Sequence, residues 1–300
     1  MSTVADSQID KTVIVLFGFN RPDFIRNRLE ELTTLDNRNI FISIDWCDND
    51  TTSGIETIVR NFLESTSSNS KFEYKIHKIN QGLARHITMT ISQLLEKFES
   101  VIVIEDDIRI NRETIETFDF GLSYMNENKY IASIGGYSPI KIPGLFQWAN
   151  CLRTSRYFSC WGWATNRTVW DRFSLDISNI DIAETLQDSS TFSRLNKFQK
   201  QTWLGRFKKI QSENPHTWDF QFQYMCYRNS MVNLLPLGRL TENLGFMDKR
   251  SAHTTNARPW WLPVAAPPKR SLNKIRENTS LVKCLEWVES KSTIGDNRQN

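Results

Sequence analysis

Three hundred residues, 39% hydrophobic and 24% charged, are enough for one large α/β domain or two small ones. A net charge of +3 is too small to point to nucleic acid, and no stretch approaches the roughly 20 apolar residues of a membrane span. Five cysteines without paired spacing suit reduced thiols in a cytosol, and the lack of CxxC or HExxH patterns argues against zinc.

Residues 1–11 are polar, without the apolar core of a signal peptide, and are expected to be disordered. Thr12 to Phe17 reads as a strand buried on both faces, and Pro22 suits the first turn of a helix carrying Phe24, Ile25, Leu29 and Leu32 along one side. Ile40 to Ile44 is the second strand and ends in Asp45. A helix over 55–63 and a strand over 72–77 follow. Leu83, Ile87, Ile91, Leu94, Leu95 and Phe98 share one helical face. The β-branched run Val101 to Ile104 is a strand that ends in Glu105-Asp106-Asp107, followed by a helix over 113–125 and a strand over 130–134.

This alternation predicts βαβ units and an α/β fold with a mostly parallel sheet flanked by helices. The lack of a P-loop or GxGxxG sequence weighs against a nucleoside-triphosphatase or a dinucleotide dehydrogenase. Past Gly136 the periodicity weakens. A helix over 192–211 and a strand over 230–235 stand out among loops rich in Trp, Gly and Asn. From Pro259 the chain is Pro-rich, then polar, with a short helix over 281–288 and disorder over 290–300 expected.

Carboxylates crowded at the carboxyl edge of a parallel sheet repel one another unless a cation sits between them. Glu105, Asp106 and Asp107 therefore suggest oxygen ligands for a hard divalent metal, against the plainer reading of a solvated turn that caps the next helix. Arg21, beside a helix start, suits an anion or a base edge, or is a surface arginine. Asp45 on the same sheet edge can accept from a nucleobase imide or ribose hydroxyl, or is an Asp in a turn. Arg85 and His86 fall in the first turns of a helix, where a cation opposes the dipole; a bound anion or base would explain them, as would a surface pair. Asp219, among Trp218, Phe220, Phe222 and Tyr224, is either an acid with a raised pKa suited to general-base work or the N-cap of the next helix. Ten tryptophans, several near Trp161, Trp163 and Trp170, can stack on sugars and bases or fill cores.

Phe19-Asn20-Arg21-Pro22, Ser43-Ile44-Asp45, Asn80-Gln81-Gly82 with Ala84-Arg85-His86, Val103 to Asp107, Trp161-Gly162-Trp163 and Trp218-Asp219, in this order, resemble the nucleotide-sugar glycosyltransferases of the GT-A fold. Among animal enzymes the pattern is similar to N-acetylglucosaminyltransferase I and its relatives. Bacterial surface-polysaccharide transferases share the later pattern Leu235-Pro236, Glu242 to Phe246 and Ala252-His253-Thr254. The resemblance covers roughly 12–255. It implies a GT-A domain over 12–258, with a nucleotide-binding half (12–136) and an acceptor half (137–258), and a C-terminal tail over 259–300.

By that resemblance Arg21, Asp45 and His86 hold the nucleobase, usually uracil. Glu105 and Asp106 lie near sugar and ribose, and Asp107 ligates a diphosphate-bound Mn²⁺ or Mg²⁺. Asp219 is the base of an inverting transfer. Arg85, Trp161, Gly162 and Trp218 are expected on the substrate side, and His253 is a further metal or phosphate contact. The relatives carry a second acid after the base, where this chain has Phe220, so Glu242, on the relatives' mobile loop, is the substitute base. The implied partners are a nucleotide-sugar donor and a glycan or lipid-linked saccharide acceptor. The expected place is the cytoplasm, with at most peripheral membrane contact. Two rivals remain. A sugar nucleotidyltransferase would want a Gly-rich basic loop where Phe17-Gly18-Phe19-Asn20-Arg21 stands, and a non-catalytic glycan-binding protein of the same fold would not need the full acid set.

Overall fold

A computed structural model describes residues 11–35, 37–67, 70–138, 151–212, 217–246, 248–250 and 271–277. β1 (Thr12–Gly18) is buried at every position, as an unbroken apolar run requires of a strand covered on both faces. It lies between β2 (Asn39–Ile44) and β4 (Ser100–Glu105), parallel to both. β3 (Lys71–Ile76) pairs parallel outside β2 as an edge strand, and its residues alternate between exposed and half-buried.

Beyond β4 the sheet continues through segments distant in sequence. β8 (Trp163–Asn166) runs antiparallel between β4 and β6 (Ile131–Gly135). β9 (Val232–Pro236) is parallel to β6, β7 (Leu152–Ser155) is antiparallel to β9, and β11 (Ile275–Arg276) closes that side. A separate two-stranded ribbon pairs β5 (Ile108–Arg109) with β10 (Glu242–Asn243).

The helices start where local chemistry satisfies their free amides. Pro22 opens α1 (Pro22–Leu32), and the Asp48 carboxylate accepts from Thr51 N at 2.7 Å to cap α2 (Asn49–Ser65). α3 (Leu83–Lys97) follows Gly82, whose φ of 75° suits glycine. Asn111 and Thr114 form a reciprocal capping box on α4 (Arg112–Glu127). The second half carries α5 (Arg167–Trp170), α6 (Ile182–Thr185), α7 (Ser190–Ser193), α8 (Lys197–Ser212) and α9 (Asp219–Arg228). One apolar core surrounds the sheet. A smaller one packs Ile182, Leu186, Trp203, Phe207, Tyr224 and Tyr227 among α6 to α9.

Several boundaries differ from the expectation. α2 begins six residues before position 55, because the Asp48 cap starts a polar first turn that no apolar periodicity marks. The single helix expected over 192–211 is two, because Asn196 and Gln199 exchange side-chain-to-backbone bonds of 2.9 Å that start α8 afresh. The expected C-terminal tail contributes to the fold: Leu272 is buried, β11 joins the sheet, and Glu277 accepts from both Tyr124 and Tyr130. The halves 12–136 and 137–258 interleave, because β8 of the second sits between β4 and β6 of the first. The segments expected as a disordered start (up to residue 10), a late helix over 281–288 and a disordered end over 290–300 lie outside the described residues. Among the described residues no helix is long and apolar enough to cross a membrane.

Candidate active site

β2 and β4 flank β1 on opposite sides, so the strand order reverses beside β1 and a crevice opens at the carboxyl ends of β1 and β4. The chain leaving β1 places Arg21 there, and the chain leaving β4 places Glu105, Asp106 and Asp107. Arg21 Nη1 donates to Asp107 Oδ2 at 3.0 Å, and its Nη2 donates to Asp106 Oδ1. Both acids are buried, and the second Asp106 oxygen is buried without a hydrogen-bond partner.

Burial, then repulsion from Asp107 and Asp106, pushes the Glu105 carboxyl well above the usual range. Burial also raises Asp106, against the pull of Arg21. Burial works against the Arg21 charge, but the two acids outweigh it and hold the guanidinium more firmly protonated than usual. One cation thus faces three carboxyl groups in a desolvated cluster, and two of them are pushed toward their neutral forms when no further positive charge is at hand.

Asp219 belongs to the same neighbourhood. Its charge raises Glu105, and the Cys160 thiol, lifted mainly by burial, also feels Asp219, Glu105 and Asp107. The N-cap of α9 is Trp218, so Asp219 is not the cap; it stands half-buried in the first turn, where the helix dipole favours an anion. Trp161 packs against Tyr137 at 4.5 Å and Phe246 at 5.6 Å between ring centroids. Gly162 holds φ at 71° while its carbonyl accepts from Gly136 N at 2.7 Å. Thr241 closes this corner, donating its hydroxyl to the Trp161 carbonyl at 2.8 Å.

Asp45 sits on the same edge, buried and occupied. Its carboxylate accepts from the backbone amides of Trp46 (3.0 Å), Gln81 (2.9 Å) and Gly82 (3.1 Å), so it fixes the turn into α3. Four other expected site residues lie apart from the acid cluster or deeper than expected. His86 is buried, its Nε2 is 2.7 Å from Ser43 Oγ, and its ring meets Phe17 and His77 edge-on. Burial first, then the charges on His77 and Lys75, bring its pKa down to about 3, so His86 itself carries no charge against the dipole. Arg85 is exposed on α3 and donates to Met89 Sδ at 3.2 Å rather than joining the acids.

Trp218 is a core residue, stacked on Trp163 at 5.1 Å and 3% exposed, because an indole here fills the space under the sheet. Glu242 lies in β10 rather than in a loop, buried, with Oε2 3.5 Å from Arg109 Nη1. His253 lies outside the described residues.

Cys160, Tyr137 and Thr241 were not anticipated. The place of Cys160 directly before Trp161-Gly162 was the one sequence signal available. Among the described residues no three His, Cys, Asp or Glu side chains converge to hold a metal ion. The donor set still fits a hard cation that takes Asp107 from the chain and its remaining ligands from a bound molecule. The excess of carboxylates over Arg21 and the unpartnered Asp106 oxygen both leave room for positive charge.

No family model matches the chain. It is 29% identical over 94 residues to an alpha-1,3-mannosyl-glycoprotein 2-beta-N-acetylglucosaminyltransferase of Arabidopsis thaliana, a match covering 31% of this chain and 21% of that protein. The chain thus spans about a fifth of the length of the curated relative it matches. Among solved structures it is similar to S. aureus TarS, with 16% identity and a TM-score of 0.40 over 75% of this chain and 35% of that one. A TarS 1–349 structure in complex with UDP gives 16% identity and a TM-score of 0.38 over 77% and 59%. A 4-diphosphocytidyl-2C-methyl-D-erythritol synthase from Anaerococcus prevotii gives 9% identity and 0.36 over 77% and 88%.

Proposed function

We propose that this chain is an inverting glycosyltransferase, moving a sugar from a nucleoside-diphosphate donor, a UDP-sugar, to a hydroxyl of a glycan or lipid-linked saccharide in surface-polysaccharide synthesis. The observation that carries the reading is the meeting of Arg21 with Glu105, Asp106 and Asp107 at the crevice beside β1, with Asp219 electrostatically linked to them. The partial alignment with an N-acetylglucosaminyltransferase supports the same class.

In this reading Asp107 would hold Mn²⁺ or Mg²⁺, which would supply stabilisation for the charge on the leaving diphosphate. Arg21 lies against the same acids and is placed to pass part of its charge to the diphosphate. Asp219 accepts the acceptor hydroxyl's proton. That oxygen then bonds to C1 from the face opposite the diphosphate, and the C1–O bond to the diphosphate breaks. Trp161, held between Tyr137 and Phe246, forms an apolar wall on the sugar side. The place of action is the cytoplasm, with at most peripheral membrane contact.

The test is nucleotide-sugar hydrolysis and transfer with purified protein, with and without Mn²⁺, for the wild type, Asp107→Ala and Asp219→Asn. Asp107→Ala should lose metal-dependent donor binding and on the order of a thousandfold in rate. Asp219→Asn should still bind donor yet lose roughly a hundredfold to ten-thousandfold in transfer. A wild type indifferent to chelator, or a fully active Asp107→Ala, would remove the metal from the reading. An Asp219→Asn variant that transfers normally would remove the base.

A further inference from the structure

Four charged side chains, Arg28, Glu31, Arg109 and Glu242, are joined by successive contacts. Arg28 of α1 is 3% exposed, and its Nη2 donates to Glu31 Oε1 at 2.7 Å. The same Glu31 oxygen is 3.7 Å from Arg109 Nε, and Arg109 Nη1 is 3.5 Å from Glu242 Oε2. The second Glu31 oxygen accepts from Ile110 N at 3.2 Å. Two cations and two anions balance, so the set is neutral as a whole. It joins a sheet-flanking helix to both strands of the β5–β10 ribbon.

Arg109, the middle link, is 45% exposed, whereas the Arg28 end is buried. Arg28 keeps Nε and Nη1 buried without acceptors, a costly arrangement for a structural arginine. Burial disfavours its charge, and Glu31, then Asp106 and Asp107, work against that. The ribbon it steadies begins one residue after Asp107, and the Asp107 carbonyl accepts from Leu244 N, just beyond β10, at 2.8 Å. Glu242 faces Arg109 in the ribbon's register, and its charge also bears on Glu31.

We propose that Arg28, Glu31, Arg109 and Glu242 are positioning residues, a charge chain that sets the Asp107 turn through the β5–β10 ribbon without itself touching substrate. The proposal rests on the glycosyltransferase reading for what Asp107 does, and it reassigns Glu242 from a substitute base to a support.

The experiment compares Glu242→Gln, Arg109→Met and the double variant, with Arg109→Lys as the conservative control. Two readouts are needed: Mn²⁺-dependent affinity for UDP by calorimetry together with KM and kcat for donor cleavage, and hydrogen exchange of the Leu244 amide. Each single variant should weaken metal-dependent UDP binding about 10–100-fold, as loss of a supporting partner does. KM should rise more than kcat falls, and the Leu244 amide should exchange faster. The double variant should be no worse than the weaker single, because both break one chain, and Arg109→Lys should recover most of the affinity.

A Glu242→Gln protein with intact UDP affinity and kcat lowered a hundredfold or more would restore Glu242 as the base and overturn the proposal. Additive losses, or Leu244 exchange at the wild-type rate in every variant, would overturn it as well. If the wild type binds no UDP with Mn²⁺ and cleaves no donor, the functional reading fails. Faster Leu244 exchange in the variants would then still support the chain as the support of the turn.

Discussion

Replacing His86 by glutamine tests the buried histidine without touching the acid cluster. In the folded protein its pKa is about 3, with desolvation the main cause, whereas an unfolded chain restores the ordinary 6.5. The depressed value means that below pH 6.5 the unfolded state takes up a proton that the folded state refuses. Stability from this group is therefore complete above pH 6.5 and drains away as pH falls, levelling off only near pH 3. The slope is about 1.4 kcal/mol per pH unit, so moving from pH 6.5 to 5 removes about 2 kcal/mol. Glutamine keeps a polar group within reach of Ser43 Oγ but does not titrate. Urea unfolding at pH 7.5 and pH 5 for both proteins reads the effect, and the variant should lose about 2 kcal/mol less on acidification. The carboxylates titrate in both proteins, so their share cancels in the difference; His77, whose ring meets His86, is coupled to it, so the comparison is made in a His77→Gln background. Equal acid sensitivity, within about 0.5 kcal/mol, would mean that His86 is protonated in the folded state and that its burial has been misjudged.

Arg21→Met should destabilise the fold by about 3–5 kcal/mol in denaturant titrations, because it strands Asp106 and Asp107 as uncompensated buried acids. A companion Asp106→Asn change should recover part of that loss, and a single-variant cost below about 1 kcal/mol would refute the ion-pair argument. Gly162→Ala should cost roughly 2–4 kcal/mol, from a left-handed backbone and a Cβ only 2.7 Å from Thr241 Cγ2. The companion Thr241→Ser, which removes that methyl while keeping the hydroxyl, should relieve the steric part in a thermal-melt comparison.

The strands that build the crevice were legible because β1 and β4 are buried on both faces and carry unbroken apolar runs, which nothing but a covered strand tolerates. The placement of Arg21 and the acids at strand ends followed from the same runs. Their mutual pairing did not, since it depends on β4 lying next to β1 across more than 80 residues of sequence. Asp45 was seen at the right edge, but its partners, the Gln81 and Gly82 amides, are set by a turn that no periodicity marks. The burial of His86 and Trp218 was not legible for one reason: residue type advertises chemistry, whereas burial is decided by which helix face meets the sheet. Glu242 was read as part of a loop because two residues are too few to show a strand's alternation.

The reversed strand β8 also bears on how the chain is made. After β4 leaves the ribosome, its free edge waits for a partner that lies about 60 residues downstream, several seconds at ordinary elongation rates. During that interval Ser100 to Glu105 offers an apolar, unpaired edge to any neighbouring chain. Yield during expression should therefore depend on temperature and chaperone supply in a way that the stability of the finished protein does not foretell.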